Sequence, residues 1–175
     1  AKTQQLRRSY LPRVNVGFAD ILKKYGTAGI TAGSSESGDL PVKNWGDAGS
    51  EVFKNSSAIS DDNVIAYQEK KYACWHCPIA CGGHVKVVSG PFVSEGHKPE
   101  YETLGSFGGM CLNDNIESII KLNEICNRMG IDTISAGCTM AFAIECYENG
   151  IISKDDTDGI ELNWGNAESI VKMTE

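Results

Sequence analysis

Asn127-Arg128-Met129-Gly130-Ile131-Asp132 decides how this chain folds, because it separates two long runs of helical spacing. Upstream, Ile116, Ile119, Ile120, Ile125, Cys126 and Met129 recur mostly every three or four residues, and Gly130 supplies the stop. Asp114 and Glu117 have the spacing of a capping box, with Asp standing in for Ser or Thr, so a helix is predicted over about 115–129. Downstream, Asp132 is placed to cap a helix over about 133–148, ended by Asn149-Gly150. Its middle, 136–144, is apolar or small all round, which predicts a buried central helix. The joint itself has two readings. Its N–H groups could receive a polar ring or a phosphate-bearing cofactor, or Asp132 could only cap the following helix.

Towards the N-terminus the same periodicity weakens. Residues 1–14 read as a linker or a partly helical entry. Phe18, Ile21, Leu22 and Tyr25 predict an amphipathic helix over 16–25, stopped by Gly26, with a second short helix over 27–32 and a polar loop over 34–39. Pro41 biases 40–45 towards extended backbone. Asp61 and Asp62 are placed to cap a helix running to about Lys71. His84–Val88 and Phe92–Ser94 flank Ser89-Gly90-Pro91 as a small hairpin, and Pro99 opens a short helix over 100–107. A last helix starts near Asn166. The fold class expected is mainly α, one multihelical domain over 1–175 with a small β hairpin near a cysteine loop.

That loop is Cys74-Trp75-His76-Cys77-Pro78-Ile79-Ala80-Cys81, followed by Gly82 and Gly83. Three thiols spaced by three and four residues can converge on one centre, and thiolates favour an iron–sulfur cluster or zinc. Three structural cysteines are the plain alternative. A [4Fe–4S] cube needs a fourth ligand, for which Cys111, Cys126, Cys138 and Cys146 are the in-chain options, though each reads equally as a small core residue. Glycines after the loop suit backbone passing close to a bulky centre. Glu100 and Glu102 read either as carboxylates tuned for proton transfer or as solvated first-turn residues favoured by the helix dipole.

Composition bounds the function. The chain has 175 residues, 41% of them hydrophobic, enough for one sizeable core. A net charge of -7 argues against nucleic-acid or anionic-membrane partners, and no apolar run is long enough to span a bilayer. Residues 1–8 lack the apolar core of a secretory signal, and seven cysteines fit a reducing cytoplasm better than a disulfide framework. The chain begins with Ala, and 167–173 reads as a helix cut in mid-course. The expectation is a piece of a larger protein.

The cysteine loop, then Pro99-Glu100-Tyr101-Glu102-Thr103, then Cys126 to Ser135, resemble the aldehyde ferredoxin oxidoreductase family in that order. Lys24-Tyr25-Gly26-Thr27 and Leu40-Pro41-Val42-Lys43-Asn44-Trp45 resemble its upstream segments. The resemblance runs from about residue 20 to the end. It implies a tungsten, less often molybdenum, bis-pyranopterin cofactor beside a [4Fe–4S] cluster. It further implies that this chain is the first helical domain, without the β-rich domain that cradles the cofactor and without the last helical domain. Cys74, Cys77 and Cys81 match the clustered ligands, the fourth being expected beyond Glu175. Asn127, Gly130, Ile131 and Asp132 match a pterin-binding motif that usually starts with Asp. Glu102 matches a carboxylate near the metal that assists proton transfer. The implied reaction oxidises an aldehyde to a carboxylic acid with ferredoxin, or another electron-transfer protein, as acceptor. The active-site subunit of a tungsten-dependent benzoyl-CoA reductase is a second branch of the same family. Outside the family stand a non-catalytic iron–sulfur electron-transfer module and a zinc-stapled interaction domain. A homo-oligomer is a further option, although an apolar face normally covered by neighbouring domains would make self-association of this piece say little about the larger protein.

Overall fold

A computed structural model describes residues 16–175. The two strongest sequence signals become its two longest helices, α5 (Ile116–Met129) and α6 (Thr133–Glu148). Before them come α1 (Val16–Tyr25), α2 (Thr31–Ser37), α3 (Asp61–Ile65) and the short α4 (Tyr101–Thr103), and after them α7 (Ala167–Thr174). Strands are few. β1 (Pro41–Val42) pairs with β2 (Asp47–Ala48), and β3 (Gln68–Tyr72), β4 (Gly82–Val87) and β5 (Ser94–His97) form an antiparallel sheet in that order. The chain is mainly α.

The α5–α6 joint follows from local chemistry. Gly130 adopts φ 71°, its N–H donates to the Asn127 carbonyl at 3.3 Å, and the Ile131 N–H donates to the Cys126 carbonyl at 2.8 Å. These two bonds close the end of α5 as a Schellman motif. Asp132 then accepts from the Ser135 N–H at 2.7 Å and starts α6. The cap at the other end of α5 differs from expectation. Asn115 is the cap, accepting from the Ser118 N–H at 3.0 Å. Asp114 instead accepts from Asn55, and Glu117 from the Tyr67 hydroxyl.

Three further elements depart from the sequence reading. The helix expected to reach Lys71 ends at Ile65, because Gln68–Tyr72 pairs with β4 (Gln68 opposite Val85, Tyr72 opposite Gly82). Its first cap is Ser60 rather than Asp61 or Asp62. The polar stretch at 34–39 is helical up to Ser37, where Gly38 at φ 82° stops α2. After α4 the backbone widens into a fully buried π-helix, Leu104–Gly109.

The main core gathers Leu40, Val42, Ile59, Leu104, Phe107, Ile119, Leu122, Ile144, Leu162 and Ile170 around the π-helix, α5 and α6. A smaller cluster of Val85, Val87 and Ile120, flanked by Tyr67 and Ile116, docks the three-stranded sheet on α5. Helix α6 is not buried all round. Gly137, Met140, Ala141, Ile144 and Cys146 face inward, whereas Ile134 and Phe142 are exposed. Gly137 lets α6 lie directly against the π-helix, since a Cβ there would sit 2.6 Å from the Ser106 Cβ.

Candidate functional site

The cysteine loop fills the connection between β3 and β4, with its ends pinned where Tyr72 stands opposite Gly82. Within it the Cys77 N–H donates to the Cys74 carbonyl at 2.9 Å. Cys74 is exposed, and Cys77 and Cys81 are half-buried, none of them in a disulfide. His76 and Ala80 take positive φ of 56° and 57°, which turns the loop tightly on itself. Among the described residues no three His, Cys, Asp or Glu side chains are gathered as a metal-binding group. The donor set nevertheless suits a thiophilic centre: three thiols within one surface loop whose two ends are held by strand pairing.

The other cysteines are core residues. Cys111 and Cys126 are fully buried in the main core, Cys138 packs against it, and Cys146 is buried. The Cys111 thiol donates to the Ser106 carbonyl at 3.5 Å, and burial pushes its pKa well up, so it stays a thiol. Gly82 and Gly83 serve the sheet, since a Cβ at either would collide with the Tyr72 ring or the Gln68 side chain.

Beside the loop lies an open pocket of about 340 Å³, lined by Tyr72, Lys98, Glu102, Thr103, Asn127 and Ile134 among others. Two residues singled out from the sequence, Glu102 and Asn127, therefore face one space from α4 and α5. Glu102 is exposed. Ile131 and Asp132 are exposed at the adjoining joint. Asp132 has structural work, because the Ser135 N–H holds its carboxyl below the usual range. Gly130 supplies the left-handed turn. A polar network ties the pocket floor together: Thr103 and Thr133 hydroxyls lie 2.9 Å apart, and Asn123 donates to the His97 carbonyl at 2.8 Å.

Sequence reasoning missed a second layer. Glu100 accepts from the Thr27 N–H at 3.3 Å and from the Thr27 hydroxyl, which in turn accepts from the Tyr101 N–H at 2.8 Å. Thr27 thus clamps the start of α4 to the end of α1. Lys98, only 3% exposed, donates to the carbonyls of Cys81, at 2.9 Å, and Tyr25. Burial lowers its pKa, and the charge of Glu100 opposes that shift. Gly26, at φ 74°, leaves room for that ammonium, since a Cβ there would meet Lys98 Nζ at 2.5 Å and the Cys81 carbonyl at 3.0 Å. Tyr72 closes the arrangement by bonding His97 Nδ1 at 2.9 Å, and His97 stacks beside His84 across the β4–β5 pair.

A family model described as aldehyde ferredoxin oxidoreductase, domains 2 and 3, matches residues 10–175. The chain belongs to the aldehyde ferredoxin oxidoreductase family. It is 37% identical over 149 residues to a tungsten-containing aldehyde ferredoxin oxidoreductase of Pyrococcus furiosus, covering 84% of this chain and 24% of that protein. Its Thermococcus kodakarensis counterpart is 36% identical with the same coverage. An aliphatic sulfonate oxidoreductase, WOR-like subunit, of Pyrococcus furiosus is 30% identical over 85% of this chain and 23% of its own length. The chain therefore spans about a quarter of the length of these relatives. Aldehyde ferredoxin oxidoreductases are an oxidoreductase enzyme family, and the segments that carried the resemblance now have physical meanings. Lys24 to Thr27 and Pro99 to Thr103 meet at the Thr27–Glu100 clamp. Among the described residues no helix is long and apolar enough to cross a membrane.

Proposed function

We propose that this chain is one helical domain of a tungsten, or molybdenum, pterin and [4Fe–4S] oxidoreductase that converts aldehydes to carboxylic acids and passes electrons to ferredoxin. The observation that carries the reading is the pocket shared by Glu102 and Asn127, with the three-thiol loop beside it. In this reading Cys74, Cys77 and Cys81 hold the cluster, and Asn127, Gly130, Ile131 and Asp132 contact the pterin. When bound, the metal–pterin supplies two-electron redox chemistry and the cluster supplies the electron exit.

Oxidation of an aldehyde by water yields an acid, two electrons and two protons. In this reading Glu102, exposed at the pocket, takes a proton as the carbon–oxygen bond forms. Asn127, held in the last turn of α5, offers an amide donor and acceptor without net charge. The aldehyde substrate rests on relatives named for it. The sulfonate-named relative is the reason substrate identity needs measurement.

The test is metal analysis and a visible spectrum of the full-length protein purified without oxygen. About four iron atoms per chain, as one cube requires, together with tungsten or molybdenum support the reading. Zinc with neither iron nor tungsten overturns it. A paired test separates ligand from core cysteine: Cys74→Ser should lose most of the iron, and Cys111→Ala should keep it. Iron lost from the Cys111 variant while it remains folded would move a ligand into the core and favour the electron-transfer module.

A further inference from the structure

We infer that Lys98 is the fixed counter-charge of the cysteine loop, positioning its C-terminal end and setting the reduction potential of the centre it holds. This deepens the proposed function and rests on its cluster reading. The starting point is a cation in an unusual place. Lys98 is 3% exposed, yet among the described residues no carboxylate oxygen lies within 4.0 Å of its ammonium. Lysine is almost never fully buried unless it is paired.

Its ammonium is held by two backbone carbonyls, that of Cys81 in the loop and that of Tyr25 at the end of α1. Its own N–H donates to the Gly83 carbonyl at 2.7 Å, so both ends of this residue grip the segment that leaves the loop. The site is built around it. Gly26 carries no side chain where Lys98 Nζ and the Cys81 carbonyl converge, and its φ of 74° disfavours any other residue. Carbonyl dipoles, including those at the C-terminus of a helix, solvate a cation in part but do not neutralise it.

Three thiolates, or the cube they bind, are anionic, and one of the three belongs to Cys81, the residue whose carbonyl Lys98 holds. A buried positive charge there favours the addition of an electron once a cube is bound. The ring of Tyr72 packs over Gly82, next to the residue whose carbonyl Lys98 holds. Lys98 also lines the pocket that carries Glu102, so one residue borders both the loop and the candidate reaction space. Nothing in the sequence marks it: Lys98 stands alone between His97 and Pro99.

The experiment uses the full-length protein, purified without oxygen, with Lys98→Met and Lys98→Gln. Gln keeps a hydrogen-bond donor and removes the charge; Met removes both. Reductive titration followed by electron paramagnetic resonance reads the midpoint potential of the cluster. Iron release to a chelator reads how firmly the loop holds it. The expected result is a shift to more negative potential in both variants and several-fold faster iron release in Lys98→Met. A potential unchanged in Lys98→Gln, with iron retained, overturns the charge role even if Lys98→Met fails to fold. A wild-type protein that contains no iron overturns the cluster reading itself. The two failures are thus distinguishable.

Discussion

Asp132 illustrates how a single residue can serve the scaffold and still border a site. Its carboxylate accepts from the Ser135 N–H, and that bond lowers its pKa below the ordinary value of 3.8. The sign of the consequence follows. A carboxyl with a depressed native pKa adds stability at pH above its unfolded pKa, and loses that contribution as pH falls through the native one. Thermal melts should therefore show Asp132→Ala less stable than wild type at neutral pH, with the gap closing in acid below the ordinary carboxylate range. Asp132→Asn, which keeps a capping oxygen, should lie nearer wild type at neutral pH and narrow less. A gap between Ala and wild type that is independent of pH would mean that the charge contributes nothing to the cap. Lys98 and Gly26 show the opposite situation. Neither shows its contact in the sequence, because a lysine beside a proline looks like surface and Gly26 reads as a helix stop. Their meaning comes from three segments, 25–26, 81–83 and 98, meeting in space.

Among the elements, α5 is the one that joins scaffold to site. Ile119, Leu122, Ile125 and Cys126 enter the main core, whereas Ile120 turns to the sheet and meets Val85 and Val87. Asn127 in its last turn then lines the pocket. Ile120 is 1% exposed, so Ile120→Ala should cost about 2–5 kcal/mol, the usual range for a buried isoleucine truncated to alanine. Urea unfolding provides the measure. Because β3 and β4 carry the cysteine loop between them, the same variant should also lose iron faster than a variant of equal instability made in the distant core, such as Ile170→Ala. Equal iron retention in the two would show the sheet to be held independently of α5. How much of this was legible depended on locality. The α5–α6 joint was readable because a glycine stop, a cap and an apolar repeat all act within a few residues. β3 was not. Gln68-Glu69-Lys70-Lys71-Tyr72 has no alternation, and it is a strand because β4 supplies its hydrogen bonds. The π-helix was equally hidden, since its six residues are buried by packing against β1 and α6 rather than by any period of their own. The meeting of Glu102 and Asn127 came from resemblance to a family, and periodicity alone would not have paired them.

For the whole molecule the decisive feature is that the candidate site is open. Glu102 and Asp132 are exposed, and the outward side of α6 carries Ile134 and, two turns later, Phe142 in solvent. A charge in water is screened by a high dielectric, and the electrostatic stabilisation that catalysis draws on grows only when water is excluded. The pocket described here excludes little. The chain also spans about a quarter of the length of the relatives it matches, leaving ample polypeptide in such proteins to cover that side. It follows that these 175 residues, expressed alone, should reduce no dye with an aldehyde even when iron, tungsten and pterin are supplied. Under the proposed function the full-length protein should do so in the same conditions. The comparison is informative in both directions, because folding of the short chain can be followed separately by circular dichroism. A folded, inactive short chain beside an active long one assigns the missing contribution to polypeptide outside these 175 residues, whether it covers the pocket or completes the cofactor and cluster sites. Turnover by the short chain would mean that the open pocket is sufficient, and that the exclusion of water matters less here than the placement of donors and charge.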